Sequence, residues 1–172
     1  MIEVRRAAPA DITAITRIYA DAVLHGTATF ELDPPDEAEM ERRLAQLAAG
    51  GFPYLVAEAA GAVAGYAYAG PYRDRPAYRF TVEDSVYIAP EAQRRGIGRA
   101  LVESLILESD RRGFRQMVAV IGDSRQAGSI ALHAATGFRL IGTFEAVGFK
   151  FGQWLDTVLM QRPLGAGATT TA

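Results

Sequence analysis

Gln93-Arg94-Arg95-Gly96-Ile97-Gly98-Arg99 lies between a strand-like run and an amphipathic helix, and its reading decides the fold. Glycine at positions 96 and 98 lets successive backbone N–H groups turn to one side with no Cβ in the way. The helix that follows opens with unpaired N–H groups and brings the positive end of its dipole to the same spot. Together these make a site for an anion, above all for phosphate oxygens. Arg94, Arg95 and Arg99 add charge-assisted donors.

Working outward from the loop, residues 80–88 alternate as a strand that Pro90 ends. Ile97, Leu101, Leu105 and Glu108 recur at helical spacing until Gly113. Toward the N-terminus, residues 2–6 read as a first strand. Pro9 and Asp11 open a helix with Ile12, Ile15, Ile18, Tyr19 and Ala22 on one face. Residues 27–35 read as a loop, and a second helix runs from 36 to about 49, stopped by Gly50-Gly51. Residues 54–59 and 63–69 read as a hairpin turning at Ala60-Gly61. Residues 70–79, rich in Tyr, Arg and Pro, form a loop. Beyond the central helix, 116–121 is a short apolar strand, 126–136 a helix capped by Gly137, and 138–144 and 153–160 a last pair of strands. The order β-α-α-β-β-β-α-β-α-β-β predicts an α/β (α+β) fold, one sheet flanked by helices. It fits a single domain over 1–164, with 165–172, all Gly, Ala and Thr, as a flexible tail.

Composition narrows the chemistry. The 172 residues suffice for one domain with its own core. Eighteen Lys and Arg against twenty Asp and Glu give a net charge of -2, without the basic excess of a nucleic-acid binder. No cysteine is present, which excludes disulfides, thiolate metal sites and a cysteine acyl carrier. The N-terminus lacks a signal-peptide run and no stretch approaches a membrane span, so a cytoplasmic protein without membrane partners is expected.

Phosphate-binding loops come in distinguishable designs. A Walker loop, G-x-x-x-x-G-K-[ST], is absent. A Rossmann fingerprint fails because Leu101 stands at the third glycine and residues 116–120 supply no acid. The pattern Q/R-x-x-G-x-G/A of acyl-CoA-dependent transferases matches Gln93 to Gly98 letter for letter. Four further blocks, 67–73 (AYAGPYR), 81–88 (TVEDSVYI), 118–124 (VAVIGDS) and 147–156 (VGFKFGQWLD), follow in order. With them the chain resembles the GNAT superfamily of N-acetyltransferases over almost its whole length, most narrowly the phosphinothricin and methionine sulfone or sulfoximine acetyltransferases. The resemblance implies a strongly twisted mixed sheet of about seven strands with about four helices, and a cleft for acetyl-CoA between splayed central strands. By the same resemblance, Val86, Tyr87 and Ile88 receive the pantetheine arm, Arg94, Arg95, Gly96, Ile97, Gly98 and Arg99 hold the pyrophosphate, and Gln126 and Ser129 complete the site. Relatives usually carry Asn at the Gln126 position.

Acetyl transfer to an amine needs a proton acceptor near the nitrogen, donors for the developing oxyanion, and a proton for the leaving thiolate. Alternation puts Glu83, Ser85 and Tyr87 on one strand face and Asp84 and Val86 on the other, so one of the two adjacent acids faces the site. The resemblance selects Glu83 as the base. Gln126, Ser129 and His133 share a helix face. His133 stands where such enzymes place a tyrosine acid, which makes it the second catalytic candidate. His25, ending the first helix, reads as a residue without chemical role.

On the acceptor side, arginines offer planar forks for carboxylate or phosphinate oxygens and tyrosines can wall a small pocket. Phe30, Tyr72, Arg73, Arg75, Pro76, Ala77 and Tyr78 are the implied substrate contacts, with Lys150 and Trp154 as pocket or dimer elements. The expected partner is a small amine, with no metal and no nucleic acid, in a homodimer. The alternatives are a GNAT enzyme acting on a protein N-terminus, polyamine or antibiotic, and a non-catalytic acyl-CoA-binding regulator.

Overall fold

A computed structural model of the chain describes residues 1–171. Eleven main elements follow in the expected order: β1 (Ile2–Arg6), α1 (Ile12–His25), α2 (Glu37–Ala49), β2 (Tyr54–Ala59), β3 (Ala62–Pro71), β4 (Thr81–Ile88), α3 (Ile97–Arg111), β5 (Gln116–Gly122), α4 (Ala127–Ala135), β6 (Arg139–Lys150) and β7 (Gln153–Pro163). The seven strands form one sheet ordered β1-β2-β3-β4-β5-β7-β6. Every neighbouring pair is antiparallel except β4 with β5, which run parallel at the centre.

Helices cover both faces, and β4 shows which side each takes. Tyr87 meets Tyr19 of α1 edge to face, its centroid 5.0 Å away, so α1 lies on the face shared by Glu83, Ser85 and Tyr87. α2 joins it there: its Arg43 and Met40 border the same cavity as Tyr19 and Tyr68. α3 and α4 cover the other face, where Asp84, Val86 and Ile88 point. The core fills both layers, with Ile15, Val23 and Tyr66 on the first side and Leu101, Leu105 and Val102 on the second among the fully enclosed side chains. Burial of this kind is the main favourable term holding the helices to the sheet.

One expectation needs correction. The sixth strand does not stop at 144 but runs on to Lys150 through a bulge between Phe144 and Gly148, where Ala146 takes φ 52°. The extra residues break the period-two pattern that alternation depends on. Beyond β7, residues 165–168 form a turn, with Gly167 N–H donating to Leu164 O, and Arg115 bonds Thr170. Residue 172 of the expected tail lies outside the described residues.

Candidate functional site

The site is built from a strand pair that stops pairing. β4 and β5 are in register from Thr81–Gln116 to Asp84–Ala119 and then separate. From Ser85 to Ile88, β4 keeps β3 as its neighbour and leaves its other edge open. A cleft of about 560 Å³ runs from this edge between the C-terminal end of α1 and the first turns of α3 and α4. At its inner end a smaller cavity of about 50 Å³ occupies the splay, walled by Asp84, Val86, Ala119, Ile121, Ser129 and His133. Val86, Tyr87, Ser129 and Ala28 border both spaces, so the two adjoin.

At the outer end sits the glycine loop. Arg94 and Gly96 take left-handed conformations, φ 57° and 84°, which curl successive amides to one side. Among the described residues, no N–H from 94 to 99 donates to another protein group. Gly98 permits the close approach of α4, since a Cβ there would stand 3.1 Å from Leu132 Cδ2. Unpaired amides, a helix N-terminus and the arginines suit a diphosphate.

The expected cofactor residues mostly gather here. Val86, Tyr87, Ile88, Arg94, Gly96, Gly98, Arg99, Gln126 and Ser129 all line the cleft. Ile97 does not: its side chain is buried in the core, leaving only its amide at the helix start. Arg95 is exposed and outside the lining. Arg99 is paired with Glu103, Nε to Oε1 2.7 Å. Gln126 lines the cleft, but its Nε2 donates to Thr27 Oγ at 3.0 Å, and Thr27 in turn donates to Asp123 Oδ2 at 2.8 Å. His25, read as chemically idle, borders the cleft mouth with its Nδ1 3.0 Å from Asp21 Oδ1.

The two adjacent carboxylates lie on opposite faces, as the alternation of the strand implies. Asp84 is the one that borders the splay cavity; Glu83 borders neither that cavity nor the cleft. Glu83 sits half-buried on the α1–α2 face. Burial pushes its carboxyl above the usual carboxylate range, with Arg73 pulling it down and Asp84 pushing it further up. His133 is buried, its Nε2 2.9 Å from Asp84 Oδ2 and its Nδ1 2.8 Å from Ser129 O. The ring stands edge-on to Phe138. Both ring nitrogens are thus engaged. Burial alone would lower its pKa, but the Asp84 bond and charge and the Ser129 carbonyl outweigh it and the net shift is upward.

None of the expected acceptor residues lines the cleft. Tyr72 and Tyr78 pack edge to face, 5.6 Å between centroids, and Arg73 stacks over Tyr72. Arg75, Pro76 and Ala77 are exposed beside them. This loop connects β3 to β4, and the charge of Arg73 reaches Glu83. Phe30 lies across Gly122 and Gly148, where an added Cβ would meet its ring at 3.0 and 2.3 Å. Lys150, expected in a pocket or interface, is buried instead and donates to Gly26 O at 2.9 Å and Thr29 O at 3.0 Å. Sequence reasoning missed that this lysine, Thr27 and Asp123 together pin the segment after α1 against the cleft. Their partners lie about a hundred residues apart in the chain, beyond the reach of local pattern.

Comparison with known proteins agrees with this geometry. Residues 4–159 match the family model described as an acetyltransferase (GNAT) domain. A phosphinothricin N-acetyltransferase of Alcaligenes faecalis is 56% identical over 160 residues, covering 93% of this chain and 81% of the relative. An L-methionine sulfoximine/L-methionine sulfone acetyltransferase of Salmonella typhimurium is 42% identical over 172 residues, with 98% of each chain covered. Among solved structures, a phosphinothricin acetyltransferase from Sinorhizobium meliloti in complex with acetyl-CoA superposes with a TM-score of 0.96 at 52% identity, covering 99% of this chain and 92% of that one.

Proposed function

The chain belongs to the GNAT acetyltransferases, and from that premise we propose that it moves the acetyl group of acetyl-CoA onto the amine of a small amino-acid-like acceptor. The phosphinothricin, methionine sulfone and methionine sulfoximine type of acceptor is favoured by the relatives' activities. The observation that supports the reading is the pair of adjoining cavities that lead from the unpaired amides of the 94–99 loop to the splay beside Asp84. A diphosphate held at one end leaves a thioester arm running along the open edge of β4, where the outward amides of Val86 and Ile88 offer strand-like hydrogen bonds.

On this reading donor and acceptor meet through the sheet. Arg94 to Arg99 anchor the diphosphate, and Val86 to Ile88, Gln126 and Ser129 border the arm. The acceptor approaches from the face of Glu83, where Arg73 and Arg75 receive its carboxylate or phosphinate oxygens and Phe30, Tyr72, Pro76, Ala77 and Tyr78 wall it in. Glu83 is the general base: its raised pKa is nearer to that of the proton it must take, which makes transfer at neutral pH easier. The competing reading of a non-catalytic acyl-CoA binder is disfavoured by a half-buried, pKa-shifted carboxylate kept beside an arginine-tyrosine loop.

The proposal extends to a homodimer in the cytoplasm. At the β6–β7 end of the sheet Leu140, Phe144, Val147, Phe149, Phe151 and Trp154 are each more than half exposed. An apolar face of that kind marks an association surface, and a second copy is the occupant the reading assigns to it. No helix among the described residues is long and apolar enough to cross a membrane.

The direct test is thiol release from acetyl-CoA against a panel of free amino acids, phosphinothricin, methionine sulfone, methionine sulfoximine, polyamines and short peptides. Release should depend on the acceptor and be fastest with one of the amino-acid analogues. Turnover confined to peptides or polyamines would overturn the substrate class, and acetyl-CoA binding with no acceptor turned over would favour the regulator.

A further inference from the structure

We infer that Asp84, His133 and Ser129 form a proton relay that ends in the cleft and supplies the proton taken up by the leaving thiolate. The inference deepens the acetyl-transfer reading and rests on it.

The argument begins with donors and acceptors. A backbone carbonyl has only lone pairs, so Nδ1 of His133, 2.8 Å from Ser129 O, carries a proton. Nε2 faces a carboxylate oxygen at 2.9 Å, with a second proton shared between them. The side chains of Asp84 and His133 are 1% and 3% exposed, so neither exchanges readily with bulk water. An enclosed imidazolium–carboxylate pair is a proton store whose charges cancel. Asp84 Oδ1 accepts no hydrogen bond from the protein although it is buried, and its residue borders the splay cavity.

The outlet is Ser129. Its Oγ lies 3.5 Å from Nδ1, within reach after a small rotation, and Ser129 borders both the splay cavity and the cleft. One turn of α4 sets this spacing, because residues four apart share a helix face. Charges that could compete are accounted for on each packed element. β5 brings none over Ala119–Gly122, Tyr87 and Ala28 complete the wall, Glu83 is on the opposite face, Asp123 is bound to Arg125 and Thr27, and Arg162 of β7 is bonded to Thr136 O.

The step balances as follows. The acceptor nitrogen, its proton passing to Glu83, forms a bond to the acetyl carbon. The C–S bond breaks and its electron pair stays on sulfur. Sulfur takes the hydroxyl proton of Ser129, and the Nδ1 proton of His133 replaces it. His133 is left neutral, its remaining proton on Nε2 and still donated to Asp84. After product release Glu83 returns its proton to water and His133 regains one. Asp84 is a positioning residue here, since it acts through His133; Ser129 is the group that touches the reacting sulfur.

The test combines kinetics with the protonation of one ring. The chain has two histidines, so a ¹⁵N-histidine spectrum resolves His133 from His25. In the wild-type enzyme His133 should carry both ring protons to a pH above the ordinary histidine value of about 6.5, and in Asp84→Asn it should be neutral there. Ser129→Ala and Asp84→Asn should each lower kcat about tenfold or more, the size of a modest general-acid contribution. In Asp84→Asn the acetyl-CoA KM should stay within about threefold, as for an interaction made only in the transition state. The alkaline limb of kcat should move to lower pH in Asp84→Asn, which a merely structural aspartate would not cause. A singly protonated ring at neutral pH in the wild type, or Ser129→Ala with wild-type kcat throughout the pH range, overturns the relay while acetyl transfer stands. A wild-type enzyme that acetylates no acceptor sinks the parent reading and the relay with it.

Discussion

At the scale of the residue, the proposed chemistry is divided by one strand. Glu83 and Asp84 are neighbours in sequence, yet the pleat sends them to opposite sides of the sheet. Glu83 sits among Tyr68, Ser85 and the Arg73 loop, where desolvation favours its neutral form. A carboxyl whose folded pKa is raised binds its proton more tightly in the native state, so it subtracts stability as pH rises through and above the unfolded value. Glu83→Gln should therefore lower kcat by at least about a hundredfold, the lower range for losing a general base, while Tm at neutral pH stays level or rises. Thermal unfolding and initial rates measured on the same preparation check both; a variant that loses stability and activity in proportion would mark Glu83 as structural. His133 runs the other way. Its raised pKa contributes stability that is present below the ordinary histidine value and fades as pH climbs through the folded one, so the wild type should lose more stability over that window than Asp84→Asn does.

Elements hold these residues in place, chiefly at two junctions. The first is the crossing of α3 and α4 at Gly98. Valine there would drive into Leu132 and push α4 away from the loop, which should raise the acetyl-CoA KM about tenfold, equivalent to about 1.4 kcal/mol. The second is the segment after α1, which Lys150, Thr27 and Asp123 tie to β5 and β6. Lys150→Met removes a buried cation but leaves two carbonyls without a donor, a loss of about 1–3 kcal/mol, read as a Tm several degrees lower and a weaker acceptor KM. An unchanged Tm would show that the segment holds without the lysine. These junctions also mark what the sequence could and could not reveal. Gly and Pro punctuate nearly every element, so the order of strands and helices was legible, as was the anion loop. Alternation could say that Glu83 and Asp84 part company but not which side receives the donor, because helices cover both faces of this sheet. The bulge at Ala146 hid the second half of β6 by breaking the strand period. Lys150 reads as a pocket or dimer element until the loop it serves, 121 residues away, is seen beside it.

For the whole molecule, the proposed mechanism makes the sheet a partition, with the thiolate on the α4 side, the acceptor on the Glu83 side and an opening where β4 leaves β5. Its far end carries the exposed apolar side chains of β6 and β7, including the packed pair Phe149 and Trp154, 5.1 Å between centroids. If a second copy covers that face, Trp154→Glu should convert a dimer to a monomer in analytical ultracentrifugation without unfolding it; a wild-type protein that sediments as a monomer at high concentration would refute the dimer. The partition itself is best tested by a crystal structure with a bisubstrate analogue, coenzyme A joined through an acetyl bridge to the nitrogen of an amino-acid acceptor. The account predicts sulfur beside Ser129 on the α4 side and the nitrogen on the far side of the sheet, within about 3.2 Å of Glu83 or one water from it. A nitrogen lying on the Asp84 side, out of reach of Glu83, would contradict it.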